Sequence, residues 1–279
     1  MPIISTLASA SANGYGFSGG PFRLTISSNQ TDVNLNSFLI SSGWNGAAEV
    51  IVTINSGVYI SSTSTSNAAL TISGSFPSGV SVTNNGTIVG MGGAGGHGGG
   101  TGYYQYWFTD APTSGGAGGL ALSVSSAVTF TNNGTIAGGG GGGGGGCAAF
   151  ETAIPGAGGG GGQSSYSTNS VGGRIGLVGV TPAAYSTAGT NGTYSAAGTG
   201  GTGGYIGGYC CGAYFWQQAG SAGNGGTWAN SGGAGGQMSS SYGTSYYQSP
   251  GSGGSAGGAV TGNSNITWIS TGTRYGSIT

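Results

Sequence analysis

Charge of either sign is almost missing from the 279 residues. Lysine is absent, and three arginines (Arg23, Arg174, Arg274) stand against four carboxylates (Asp32, Glu49, Asp110, Glu151). Three cations cannot neutralise a phosphate backbone, so no nucleic-acid partner is expected. A basic membrane-surface patch is excluded on the same count. A phosphate-binding loop would need the lysine that is missing. Histidine occurs once, at His97, so a triad or zinc site built on histidine lacks members. Asp110 and Glu151 could form the carboxylate pair of a glycosidase, but neither sits in a patterned context. No enzymatic activity, cofactor or metal is therefore expected. No apolar run approaches the 18 residues of a membrane span, so no membrane insertion is expected. The start, "MPIISTLASASANG", lacks the positive region and long apolar core of a secretory signal. Cysteine is scarce, at Cys147, Cys210 and Cys211. An odd count without C-x-x-C gives no disulfide framework. The three read as small packing residues, with a bridge from Cys147 to the 210–211 pair as the alternative.

Glycine fills the space that charge leaves. It supplies 70 residues, distributed as 10 in 1–89, 57 in 90–258 and three in 259–279. Disordered chains are usually charged and poor in aromatics. This one is 3% charged and 10% aromatic, so composition argues against plain disorder. A polypeptide without a secretory signal, yet surfaced like an extracellular one, fits a particle assembled inside a cell and released by lysis.

Residues 1–89 read as an N-terminal β domain, a small sandwich or solenoid layer. "FRLTIS" (22–27), "AEVIVTIN" (48–55), "GVYISS" (57–62), "AALTIS" (68–73) and "GVSVTN" (79–84) are β-prone and separated by Gly, Asn, Ser and Pro. "VNLNSFLISSGW" (33–44) could be a short helix or a further strand. Residues 259–279 read as a C-terminal β segment. One unit repeats: "VTNNGTIVG" (82–90) returns as "FTNNGTIAG" (130–138), and "GLALSVSSAVTF" (119–130) feeds the second copy. The Asn-Gly step in each copy suggests a tight turn with positive φ.

The glycine-rich region, 90–258, follows a Gly-Gly-x rule. Residues 92–100 read Gly-Gly-Ala, Gly-Gly-His, Gly-Gly-Gly, and the phase returns in 114–120, 199–205, 231–237 and, with a slip, 252–259. Gly138–Gly146 and Gly158–Gly162 satisfy it trivially. A period of three belongs to the extended left-handed helix with about 3 residues per turn, which has no internal hydrogen bonds. Its amides and carbonyls must find partners on neighbouring segments. We expect a slab of seven or so packed polyglycine II-type helices, two faces of each meeting neighbours and the third turned outward. The expected fold class is therefore mainly β and irregular, with almost no α-helix. The alternative, tracts as loose linkers, leaves the three-residue phase unexplained.

Between tracts lie loops of another palette: 103–114, 147–155, 163–198, 205–220 and 237–251. Twelve of the fifteen tyrosines fall between 103 and 247. Tyr, Ser, Gly and Asn with occasional Trp is the composition of antibody paratopes, where rigid amphipathic rings supply contact area. Aromatic faces also stack on sugars. Candidate receptor-binding residues are Tyr103, Tyr104, Tyr106, Trp107 and Phe108, then Tyr214, Phe215 and Trp216, then Tyr242, Tyr246 and Tyr247. The competing reading has these rings covering the slab edges.

Strand-"NNGTI"-glycine tract, "GWNG" (43–46), the Gly-Gly-x tracts with Tyr-rich loops and the ending "GNSNITWISTGTRYGSI" (262–278) resemble glycine-rich tail-fibre and tail-tip adhesins of tailed bacteriophages. That resemblance implies a virion surface protein whose N-terminal domain attaches to other virion proteins while its loops touch a host-cell surface receptor, either a glycan or an outer-membrane protein. It leaves a homo-oligomer open. The N-terminal β part matches no fibre-attachment domain of that type. Two other roles compete. One is a capsid-decorating or fibre-forming component. The other is ice binding, which needs a regular flat face that the mixed x residues (Met91, Ala94, His97, Thr202, Tyr205) do not provide.

Overall fold

The computed structural model describes residues 20–101, 108–149, 154–176, 186–210, 213–241 and 248–279. Three parallel sheets form its β part. The first orders Phe22–Ile26, Val50–Ile54, Val80–Asn84, Val128–Asn132 and Ile266–Ser270. The second stacks Gln30–Thr31, Tyr59–Ser61, Thr87–Val89, Thr135–Ala137 and Thr273–Tyr275. The third joins Val33–Asn34, Leu70–Ile72, Leu122–Val124 and Val260–Thr261, with Ile278 bridging Val260. The chain visits the three sheets in turn, so each circuit is one rung of a parallel solenoid. Alternate side chains of the first sheet point inward: Val50, Val52 and Ile54, then Val80 and Val82, then Val128 and Phe130. Each such burial is worth roughly 1.5–3 kcal/mol. One helix interrupts the first rung. Asn34 accepts a hydrogen bond from the Ser37 amide, and α1 (Leu35–Ser41) follows, burying Leu35 and Leu39. Thus 33–44 holds both a strand and a helix.

The 48-residue repeat turns out to be two stacked rungs. Buried Asn84 donates its side-chain amide to Asn132 at 2.8 Å, and Asn132 donates to the Thr271 carbonyl at 2.8 Å. Asn133 donates to Asn85 at 3.0 Å on the outside. The expectation of positive φ at the Asn-Gly step fails, since neither Gly86 nor Gly134 adopts it. Glycine is needed there for room: a Cβ on Gly134 would meet the Gly86 carbonyl oxygen at 2.0 Å.

The glycine-rich tracts are excursions from this solenoid. Residues 90–121 leave after Thr87–Val89 and return at Leu122; residues 138–259 leave after Thr135–Ala137 and return at Val260. The strands of 122–137 therefore belong to the same sheets as those of 22–89, although they lie within the glycine-rich part of the sequence.

Ten segments carry the excursions: tract 1 (90–99), tract 2 (113–119), tract 3 (138–146), tract 4 (156–163), tract 5 (170–176), tract 6 (187–193), tract 7 (198–204), tract 8 (219–226), tract 9 (230–236) and tract 10 (251–258). They bond to one another in phases of three. Gly139, Gly142 and Gly145 donate to tract 2, Gly140, Gly143 and Gly146 to tract 4, and Gly141 and Gly144 to tract 9, all at 2.8–3.0 Å. The carbonyls of tract 3 accept from Gly93, Gly96 and Gly99 of tract 1, from Gly223 and Gly226 of tract 8, and from Gly251, Gly254 and Gly257 of tract 10. Six neighbours surround tract 3, which explains the nine consecutive glycines: no phase faces solvent, and all nine residues are buried. Tract 4 is enclosed in the same way, by tracts 1, 3, 5, 6, 7 and 8.

The remaining eight tracts form a ring about that central pair, giving rows of three, four and three. Tracts 2, 1 and 5 form one row; tracts 10, 3, 4 and 6 the middle; tracts 9, 8 and 7 the last. Peripheral tracts keep the expected outward phase. In tract 1 the glycines are buried while Ala94 and His97 are exposed. Registers show that consecutive tracts run antiparallel: Gly116 donates to Ala94 and Gly119 to Met91, whereas Gly93 donates to Gly140 and Gly96 to Gly143. The connections therefore alternate between two ends of the bundle.

Candidate functional site

One end of the bundle is closed by the solenoid. There the connections 163–169, 193–197 and 227–229 lie against the rungs. Tyr59 stacks on Tyr166 at 4.3 Å and meets Tyr194 edge-on at 4.9 Å. Trp228 contacts Tyr194 at 5.0 Å and Tyr275 at 6.4 Å. Burial, reinforced by Tyr59, pushes the Tyr194 phenol well above its usual range. These rings join the tracts to the solenoid, as the edge-covering reading of the aromatics expects.

At the other end, by the alternation of chain direction, tracts 1, 3, 5, 7 and 9 finish and tracts 2, 4, 6, 8 and 10 begin. The expected single loop 163–198 is thereby divided. Residues 163–169 and 193–197 belong to the solenoid end, and tracts 5 and 6 occupy much of the rest. Sequence missed these tracts because Thr, Ala and Arg fill their outward phases. Thr187 and Thr190 pair through their hydroxyls with Thr202 and Thr199 at 3.2 and 3.1 Å.

At this distal end the described residues make a braced platform. Tyr205–Cys210 and Ala213–Gln218 pair as an antiparallel hairpin, extended by Ser239–Ser240. Tyr214 is 60% exposed, and its hydroxyl lies 3.1 Å from that of Tyr205, itself 48% exposed. The Tyr214 hydroxyl raises the Tyr205 phenol above its ordinary value. Trp216 stacks near Tyr205, with centroids 6.4 Å apart and planes 22° apart. Gly207 lies beneath both hydroxyls; a Cβ there would sit 2.7 Å from that of Tyr214. Phe215 lies in the same strand, opposite Gly208, and Phe108 in the strand Phe108–Asp110, paired with Gly100–Thr101. Tyr103, Tyr104, Tyr106, Trp107, Tyr242, Tyr246, Tyr247 and Glu151 lie outside the described residues.

Beneath the platform sit residues that sequence reasoning did not single out. Buried Gln248 donates to the Asp110 carbonyl at 2.7 Å and accepts from the Ala148 amide at 3.2 Å. Cys147 donates its thiol to the Gln248 carbonyl at 3.0 Å. Three connections are pinned together at this residue. Cys147 is a free thiol, so it does not form the alternative bridge to Cys210 or Cys211; burial pushes it up to about 11. Ala149, Ile154 and Ala219, with Ile206 against them, make a small apolar cluster under the hairpin. Ser186 links two further connections, donating to the Pro155 carbonyl at 2.6 Å and accepting from Gly204 at 2.8 Å. Only long-range register brings these side chains together, so no local sequence signal marks them.

A solenoid at one end, a hydrogen-bonded bundle in the middle and aromatic loops at the other define a display protein. The chain belongs to the phage tail fibre adhesin Gp38 family, whose family model matches residues 21–279. It is a bacteriophage tail-fibre adhesin acting in host attachment, and it is located on the virion. Capsid decoration is set aside by that membership. Its fold is similar to a chain of the crystal structure of the gp37-gp38 adhesin tip complex of the bacteriophage S16 long tail fiber, at 24% identity, with a TM-score of 0.58, over 98% of this chain and 92% of that one. No curated protein sequence matches the chain significantly.

Proposed function

We propose that the distal connections are the receptor-contacting surface and that the solenoid end docks on the fibre. The observation that carries this reading is the strict alternation of tract direction. It brings both ends of the five longer connections to one end of the bundle and sets the shorter connections against the solenoid. A rigid base with exposed Tyr205 and Tyr214, and Trp216 half-buried beside them, suits recognition, because rings bring contact area at low entropic cost. The phases of three and the six neighbours of tracts 3 and 4 support a bundle of polyglycine II-type helices. Such a helix makes no bonds of its own and needs its neighbours for all of them. The solenoid, including its N-terminal rungs within 1–89, is the part available for a fibre protein comparable to the gp37 of the related complex. The role is one of binding, not catalysis.

The test is adsorption of purified protein to host cells. Tyr214→Ala and Trp216→Ala, and separately deletion of 242–247, should abolish binding; Tyr214→Ala should leave the melting temperature within about 2 °C, since exposed sites usually change stability by less than ~0.5 kcal/mol. Full adsorption by all three variants would overturn the assignment of this end.

A further inference from the structure

Charge is so scarce in this chain that its placement carries information. Arg23, Asp32, Glu49 and Arg274 lie in the solenoid, where Asp32 binds the Thr63 amide at 3.1 Å and Arg274 lies 5.1 Å over the Trp268 ring. Among the described residues, the bundle has only Asp110, Arg174 and the single histidine, His97, to offer. All three line one groove of about 150 Å3. It crosses the distal ends of tracts 1, 2 and 5, with Ala111 and Ile175 as apolar wall.

The guanidinium of Arg174 and the carboxylate of Asp110 have no hydrogen-bond or ionic partner among the described residues. His97 accepts the Arg174 amide on Nδ1 at 3.2 Å, which leaves Nε2 as a donor toward solvent. The backbone bond fixes the ring against tract 5. The groove thus offers a cation, an imidazole N–H donor, a carboxylate acceptor and a small apolar face, held on a hydrogen-bonded edge of the bundle.

We propose that this groove binds an acidic sugar of the host surface; the proposal rests on the distal end being the receptor-contacting end. A bare phosphate or carboxylate would meet Arg174 but also the carboxylate of Asp110, which repels it. An acidic sugar satisfies both. Its carboxylate takes the planar fork of Arg174. Its hydroxyls donate to Asp110 and accept from His97, and its C–H face lies on Ala111 and Ile175. The space suits a single ring.

Saturation-transfer NMR and titration of the full chain test this with glucuronate, galacturonate and N-acetylneuraminate, against glucose, galactose, acetate and inorganic phosphate. At least one acidic sugar should bind in the millimolar range, and more weakly as salt rises. The neutral sugars and simple anions should bind at least tenfold more weakly. Arg174→Gln should lose tenfold or more for the acidic sugar, and Asp110→Asn should narrow the gap between that sugar and acetate, both with unchanged melting. Contact by none of the acidic sugars, equal binding of acetate and phosphate, or no effect of Arg174→Gln overturns the proposal. If Arg174→Gln adsorbs normally while the hairpin variants do not, the groove fails and the distal reading stands. If none of them changes adsorption, the distal reading itself fails.

Discussion

Replacing Gly142 with alanine adds one methyl group at the centre of the bundle, and its effect can be worked out from contacts. An added Cβ would lie 1.9 Å from the Ala94 carbonyl oxygen and 2.5 Å from its carbon. Both are backbone atoms, so no side chain can rotate away. Ordinary contact lies beyond about 3.4 Å, and tract 1 would have to retreat by roughly 1.5 Å, more than a close-packed interior yields. That retreat stretches the bonds from Gly93 and Gly96 to tract 3, now 2.8 Å each. Leaving two buried backbone pairs unmade costs about 1–3 kcal/mol each, so destabilisation of roughly 2–6 kcal/mol is expected. In a chain of this size that lowers the melting temperature by about 10 °C. Gly233 supplies the control. It lies in tract 9 of the same bundle, its φ is not left-handed, and a Cβ there finds nothing nearer than 3.5 Å. Gly233→Ala should be neutral or stabilising by up to ~1 kcal/mol, because it reduces the freedom of the unfolded chain. Thermal unfolding followed by circular dichroism measures both. Equal shifts for the two variants would refute the reasoning, since chain entropy alone treats the two glycines alike.

Three further outcomes follow from the side-chain contacts. Asn132→Ala should cost about 2–4 kcal/mol in thermal unfolding, because it removes the 2.8 Å acceptor of the buried Asn84 amide and the side-chain donor to the Thr271 carbonyl; Asn133→Ala, whose bond is exposed, should cost under ~1 kcal/mol. Gln248→Leu should loosen the connections that meet at its amide, seen as faster limited proteolysis between 100 and 112 with little change in the solenoid. Cys147 should resist thiol reagents until the protein unfolds, and its raised value sets a sign for alkaline pH. The folded state holds the proton more tightly than the unfolded chain, so this contribution is complete below about 9 and is lost as pH rises toward about 11. Cys147→Ser should flatten that part of the stability profile.

Much of this architecture is legible in the residues, for physical reasons that also mark where reading stops. The strands of the solenoid alternate, and "NNGTI" recurs because two rungs must stack side chain on side chain. Mainly β structure follows from those patterns, while 33–44 could be read as either a short helix or a strand. Tract 1 is legible because its outward phase holds Ala94 and His97 between glycines. Tracts 5 and 6 are not, because "VGGRIG" and "TAGTNGT" keep glycine only at the inward contacts, as at Gly189 against the Gly159 carbonyl. The count of seven or so tracts is low for that reason. The run of nine glycines is conspicuous, but its meaning, a segment enclosed on every side, depends on registers spanning more than a hundred residues. The same holds for Gln248 and Cys147. The aromatic palette locates loops without telling which end each one serves: Tyr166, Tyr194 and Trp228 join the tracts to the solenoid, while Tyr205 and Tyr214 are exposed at the far end with Trp216 half-buried beside them.

The most direct measurement is amide hydrogen exchange across 138–146, resolved residue by residue. If tract 3 is bonded on all sides, the amides of every phase should exchange as slowly as those of Val128–Asn132 in the solenoid. Exchange of this stretch within seconds, at rates of an unstructured glycine chain, would contradict the enclosed bundle and with it the platform on which the distal loops are carried.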